Sequence, residues 1–329
     1  MRTKPHKTDI GRAGVVSRAS RGRSGLLWLA WLACPLLLSA CVASGDVETE
    51  ANPIDPETAA EVQRIQTEED KSLLAAAEED LSYGRNQLAL ERLSGISEPL
   101  RSTPRSRLAF AEAYLGVGSA QNAFALFQGL VSDPSYSARA LQGLGLSELA
   151  LGHEESAAGY LQQAVAQDSS LWRSWNALGR YHDNREEWAD AERAYDTALE
   201  LEADNASIYN NLGISFARQD RYAEAEGMFR RALSLDPGLK QAETNLRLAI
   251  AWQGRYSEAL NGVPQDEAAN ALNNVGYIAM QNGDYKTAER LLMRAIEISP
   301  VYFAEAEANL NRLRVLQGQP GLAQPTLSE

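Results

Sequence analysis

"NNLGISFARQDRYAEAEGMFRRALSLDP" (Asn210–Pro237) and "NNVGYIAMQNGDYKTAERLLMRAIEISP" (Asn273–Pro300) state one pattern twice. Outward from the first, Tyr209, Leu212, Gly213, Ala225, Phe229 and Ala232 have upstream counterparts, in the same order and spacing, in Trp175, Leu178, Gly179, Ala191, Tyr195 and Ala198. A second step of the same length gives Leu141, Leu144, Gly145, Ala157, Leu161 and Ala164. Self-similarity at a fixed period of about 34 residues marks a solenoid, whose units bury their apolar faces only against their neighbours.

The spacing resembles the tetratricopeptide repeat, a pair of antiparallel helices. The resemblance implies an all-α, right-handed superhelix of helix pairs. In it Gly145, Gly179 and Gly213 sit where the first helix of a pair crosses the second. Ala157, Ala191 and Ala225 fill the reciprocal site, and Tyr195 and Phe229 wedge against the next unit. The register continues upstream in degenerate form. Tyr114, Ala123 and Phe127 fit a unit at 104–137, and Ala89 and Leu93 fit one at 70–103, although a helical cap would read the same way.

Downstream, Leu246, Gly254, Tyr256 and Ala259 begin a unit at 240, whose second helix is expected to stop near Val263-Pro264. Gly276, Tyr285, Ala288, Leu292 and Ala295 then restart the pattern early, so the two stretches quoted above lie closer together than two full periods. With Arg247 where glycine is expected, the shortened unit should bend the stack or open a notch in it. A last helix, about Phe303 to Gln317, caps the array. The expected plan is therefore 57–137, a helical region of degenerate repeats; 138–239, well-defined repeats; 240–303, the shortened unit and one more repeat; 304–317, a capping helix; and 318–329, a disordered tail.

The N-terminus reads as an address. Basic residues scattered over 1–25 precede "LLWLAWLACPLLLSAC" (Leu26–Cys41), an apolar run too short and too interrupted by Pro35 for a spanning helix of about 20 residues. "LSAC" (Leu38–Cys41) resembles the bacterial lipobox, which implies a signal peptide over 1–40 and acylation of Cys41. Cys34 is the poorer candidate because its apolar run would be cut short. Residues 41–56 are acidic, small and proline-broken, so they form a flexible tether, ending where Asp55 caps a helix that begins at Pro56. Val42 stands where many lipoproteins retained at the inner membrane carry Asp. The resemblance thus implies the periplasmic face of an outer membrane.

Charge excludes one class of partner. The chain of 329 residues carries a net −13, and its signal region, 1–40, holds 7 Lys and Arg against Asp9 alone. The remainder has 24 basic and 43 acidic residues, a net −19 that repels phosphate backbones and argues against nucleic-acid binding. Two cysteines, both near the signal, leave no structural disulfide to expect.

No catalytic constellation stands out. His153 falls in a turn and His182 at a packing position, neither beside a second ligand at metal spacing. A phosphate loop, a serine elbow and a thiol nucleophile are missing from the sequence as motifs. The reading is of a protein-binding scaffold, not an enzyme, with no cofactor and no small-molecule substrate.

The resemblance places the first helix of each pair along the concave groove. The sixth residue of successive units is Asn211, Asn245, Asn274 and Asn309. An amide offers both a donor and an acceptor, so this column suits the backbone of an extended peptide; equally, the amides could bond within their own helices or face water. Trp252 and Tyr277 share that face by spacing and could clamp the peptide or serve as core.

The C-terminal half is the most telling. "TNLRLAIAWQGRYSEAL" (Thr244–Leu260), a truncated helix, then "NNVGYIAMQNGDYKTAE" (Asn273–Glu289) resembles the TadD lipoproteins of the tight-adherence, or Flp, pilus system. The resemblance implies a role in assembling or localising the outer-membrane secretin and other pilus components. Two alternatives share most of these features: a pilotin-like lipoprotein of another secretion or type IV pilus system, and a periplasmic adaptor that recruits proteases or cell-wall hydrolases.

Overall fold

The computed structural model describes residues 55–318, so the signal, Cys41 and most of the tether, together with residues 319–329 of the tail, lie outside the described residues. Among the described residues the chain is all helical. Helix pairs follow in order: α1 (Pro56–Ser82) with α2 (Asn86–Ser94), α3 (Pro104–Gly116) with α4 (Ala120–Gln128), α5 (Ser137–Leu151) with α6 (Glu154–Gln167), and α7 (Trp172–Asn184) with α8 (Trp188–Leu201). They continue as α9 (Ala206–Arg218) with α10 (Tyr222–Leu235), α11 (Lys240–Trp252) with α12 (Tyr256–Ala259), α13 (Ala268–Gln281) with α14 (Tyr285–Ile298), and a final α15 (Ala304–Leu316). Each helix packs on the one before and after it, and the first helices of neighbouring pairs also touch. This nearest-neighbour pattern makes the array a solenoid, and the degenerate upstream stretches are helix pairs like the rest.

Local chemistry starts these helices where the sequence suggests. The Asp55 carboxylate accepts from the backbone N–H groups of Glu57 and Thr58 at 3.0 and 3.1 Å, with Pro56 in the first turn. Asn205 caps α9 and Asp284 caps α14 in the same way.

The glycine crossings are close. A Cβ added to Gly179 would lie 2.6 Å from the Tyr195 ring, and one on Gly213 would lie 2.6 Å from the Phe229 ring. Gly145 faces Leu161 at the same 2.6 Å, and Gly276 faces Leu292 at 3.0 Å. Tyr195 also packs on Ile208 and Leu212 of the next pair, so one side chain closes its own pair and joins the following one.

A second register runs through the turns. The residue joining the helices of a pair is left-handed at Gly84, Gly118, Gly152, Gly254 and Gly283, and the same position is Glu186 (φ 60°) in the α7–α8 pair and Asp220 (φ 63°) in the α9–α10 pair. A side chain in this region costs about 1–2 kcal/mol. Part of that is offset by the chain entropy that glycine would bring to the unfolded state. Glu186→Gly should therefore stabilise the protein by about 0.5–1 kcal/mol. Asp220→Gly should gain less, because aspartate tolerates this conformation and here accepts from the Tyr222 hydroxyl at 2.6 Å. Chemical denaturation of the two variants checks the order; a lower midpoint for Glu186→Gly would contradict it.

The shortened unit is shorter than its sequence suggests. α12 ends at Ala259 rather than near Val263, because Gly262 turns left-handed (φ 71°) and Pro264 follows without an N–H donor. Arg247, at the glycine position, meets no second helix. Its side chain is only 14% exposed, and the guanidinium pairs with Glu243 on its own helix and, at 3.2 Å, with Glu267 at the start of α13. A hollow of about 590 Å³ lies on the following pair, beside Leu272 of α13 and Arg290, Met293 and Arg294 of α14, and no residue of the shortened unit lines it.

Candidate protein-binding face

Side-by-side packing of α7, α9, α11, α13 and α15 brings the fifth and sixth residues of each unit against those of its neighbours. Asn211 donates through Nδ2 to Oδ1 of Asn176 at 3.0 Å, and Asn245 donates to Oδ1 of Asn210 at 3.1 Å. Asn309 donates to Oδ1 of Asn273 at 2.9 Å. The amides neither bond within their own helices nor simply face water; they tie adjacent first helices together. Asn210, Asn245 and Asn273 are 4%, 9% and 8% exposed, whereas Asn176, Asn211 and Asn309 are half-buried. Asn274 stands apart: it accepts from its chain neighbour Asn273 at 3.3 Å and makes no bridge across the shortened unit.

Each bridge uses one donor and one acceptor. In a half-buried pair such as Asn176 and Asn211, the second N–H of Asn211, the N–H groups of Asn176 and the Asn211 carbonyl stay available on an accessible face. Trp252 and Tyr277 are both partly buried. The Trp252 indole stacks flat on Tyr222, ring centroids 5.4 Å apart and planes 5° off parallel, and Tyr277 packs between the α11–α13 and α14–α15 clusters.

A buried carboxylate, missed in the sequence, locks the same helices. Asp183 is 3% exposed and accepts from the Tyr195 hydroxyl at 2.8 Å and the Ser215 hydroxyl at 2.6 Å, joining α7, α8 and α9. Burial pushes its pKa above the ordinary 3.8, against the opposing pull of those hydroxyls and of Arg218. The folded state therefore holds the proton more tightly than the unfolded one, and this group's contribution to stability falls as pH rises from 3.8 through the raised folded value. Asp183→Asn removes that slope. Melts at stepped pH should show the variant gaining on the wild type as pH rises above the ordinary carboxylate value; a constant difference would overturn the assignment.

His182 and His153 are paired rather than poised. The His182 Nδ1 lies 2.7 Å from Glu187, and the His153 Nδ1 lies 2.6 Å from Glu148. His182, Glu187 and Asp190 present ligand atoms within 4.8 Å of one another. Arg185 already neutralises Glu187 at 3.0 Å and Arg193 pairs with Asp190, so these carboxylates have cations without a metal. No helix among the described residues is long and apolar enough to cross a membrane.

Tetratricopeptide-repeat family profiles match residues 176–240 and 269–302. No curated protein matches the chain. Among solved structures, the anaphase-promoting-complex hetero-tetramer Cut9–Hcn1 is similar at TM-score 0.57 and 18% identity, over 72% of this chain and 48% of that one. This chain thus spans about half the length of that relative. YrrB, described as a TPR protein with an unusual peptide-binding site, aligns at TM-score 0.45 and 20% identity over 55% of this chain and 96% of its own. PilW, described as a widely conserved type IV pilus biogenesis factor, aligns at 0.43 and 20% identity over 55% and 86%. Residues 176–240 and 269–302 are tetratricopeptide repeats, set in an all-α solenoid.

Proposed function

We propose that this chain is a protein-interaction scaffold anchored by lipid at Cys41 to the periplasmic face of an outer membrane, where it supports assembly of a tight-adherence pilus, including its secretin. The observation that carries the reading is the shortened unit. The stretch from Thr244 to Glu289 resembles the TadD lipoproteins by its order of full first helix, truncated second helix and full repeat, and α12 is indeed cut to a single turn, Tyr256–Ala259. The partner is an extended segment of a pilus or secretion component, bound along the first helices where the half-buried amides have valences to spare. Neighbouring genes test the system: a secretin, a secretion ATPase and a small pilin support it, whereas a peptidase or an amidase would favour an adaptor for proteases or cell-wall hydrolases.

Acylation supplies the anchor, at about 0.8 kcal/mol per buried methylene. Cys41→Ser should abolish fatty-acid labelling and move the protein from the membrane to the soluble periplasmic fraction. Labelling that persists in this variant would overturn the lipobox assignment.

A further inference from the structure

Exposed apolar side chains are gathered at the two ends of the solenoid. Of twelve large apolar residues exposed among the described ones, Val62, Ile65, Tyr83 and Leu88 lie on the first helix pair, and Val301, Tyr302, Val315 and Leu316 lie at or on α15. Of the other four, Val117 and Leu201 lie farther from the ends, and Tyr285 and Met293 lie on α14, which packs on α15. A solenoid that stays single needs polar terminal units, because an end unit lacks the neighbour that every inner unit has. Both ends of this one carry exposed apolar side chains among polar ones.

The two ends also differ in charge. The first half of α1 projects from the body: residues 56–69 are all exposed, and the helix becomes buried only from Asp70 onward. Glu61, Val62, Ile65, Glu68 and Glu69 follow one another at helical spacing; Glu61 is paired with Arg64 and Glu68 with Lys71, so among the described residues Glu69 is the unpaired acid of this partly apolar stripe. At the other end, Arg312, Val315 and Leu316 share a face of α15, with Arg314 beside them. Neither arginine forms an ion pair among the described residues. Val315 and Leu316 are 67% and 55% exposed, and Val62 and Ile65 are 58% and 47%.

We infer that copies of this chain associate head to tail, the projecting half of α1 in one copy lying on the exposed face of α15 in the next. The contact places Val62 and Ile65 on Val315 and Leu316, and acidic side chains beside Arg312 and Arg314. It continues the helix-on-helix packing of the solenoid across the boundary between molecules. Because the two surfaces differ, the contact is heterologous: it does not close at a dimer but propagates, into an open chain or, where the rotation closes, a ring.

Sedimentation velocity of the purified full chain in mild detergent tests this over a hundredfold concentration range, about 1–100 μM. The wild type should grow from monomer to dimer and beyond as concentration rises. Val62→Glu with Ile65→Glu blocks one end, and Val315→Glu with Leu316→Glu blocks the other. All four positions are exposed, and a melt confirms that each variant is folded. Each blocked variant alone should remain monomeric, and their equimolar mixture should give a heterodimer that grows no further. Three results would overturn the inference. Self-association of either blocked variant would show a symmetric contact between like ends. A mixture that stays monomeric would show that the two ends do not meet. A wild type that is monomeric throughout would mean that something else, such as residues 319–329 of the same chain, covers α15.

Discussion

Replacing Gly213 with leucine should cost about 1–3 kcal/mol and loosen the array locally rather than throughout. A Cβ alone would sit 2.6 Å from the Phe229 ring, which is wholly buried and hemmed in by Ala217, Ala225 and Ala249. The ring therefore has nowhere to go, and the α9–α10 crossing must open. Gly227 on the same pair is the control: nothing lies within 4 Å of an added Cβ there, so Gly227→Ala should be neutral or stabilising, up to about 1 kcal/mol. Hydrogen exchange should quicken over α9, α10 and their neighbours in Gly213→Leu. Exchange that changes only far from this pair, or not at all, would contradict the register.

Asn245→Ala should cost about 1–3 kcal/mol, because it leaves the Asn210 carbonyl oxygen, on a residue 4% exposed, without its donor. The better helix propensity of alanine offsets only about 0.7 kcal/mol of this. Asn309→Ala should behave similarly by orphaning Asn273, itself 8% exposed. Asn274→Ala should cost less than either, since it removes the longer 3.3 Å contact with its chain neighbour Asn273 and no bridge between helices. Thermal melts of the three variants check the ranking, and an Asn274→Ala that falls further than Asn245→Ala would contradict it. The ranking separates the two jobs of this column. The buried bridges hold the helices in register, and the half-buried ones retain the valences that a partner could use.

Much of the fold was legible because close packing admits few residue types at a crossing. Gly179 and Gly213 leave no room for a side chain, and Ala191 and Ala225 are wholly buried, so these positions recur visibly from one unit to the next. Left-handed turns repeat too, but the pattern is masked where Glu186 and Asp220 accept strain in place of glycine. The early end of α12 was harder to place, since Ser257, Glu258, Ala259 and Leu260 all suit a helix and Gly262 decides the matter only with Pro264 behind it.

The asparagine column was legible as a column, but not its partners. Donor and acceptor sit at different places in successive units, so the pairs Asn176–Asn211 and Asn210–Asn245 are each 35 residues apart, one more than the repeat period. Searching the sequence at the repeat period alone passes over them. Asp183 escaped for a related reason: Tyr195 and Ser215, its partners, are ordinary in the repeat, and only the burial of all three makes a network.

The central claim is that the first-helix face grips a component of a pilus or secretion machine, and photo-crosslinking in the protein's own cells tests it most directly. Arg180 and Gln241 are exposed, each one helical turn from a bridging amide, at Asn176 and Asn245 respectively. Ser234 is exposed on the second helix α10 and serves as the control. A photoreactive residue at Arg180 or Gln241 should capture the same partner, a secretin or another pilus component, while one at Ser234 captures none. Silence at Arg180 and Gln241 with capture at Ser234, or capture of a peptidase or cell-wall hydrolase instead, would contradict the account.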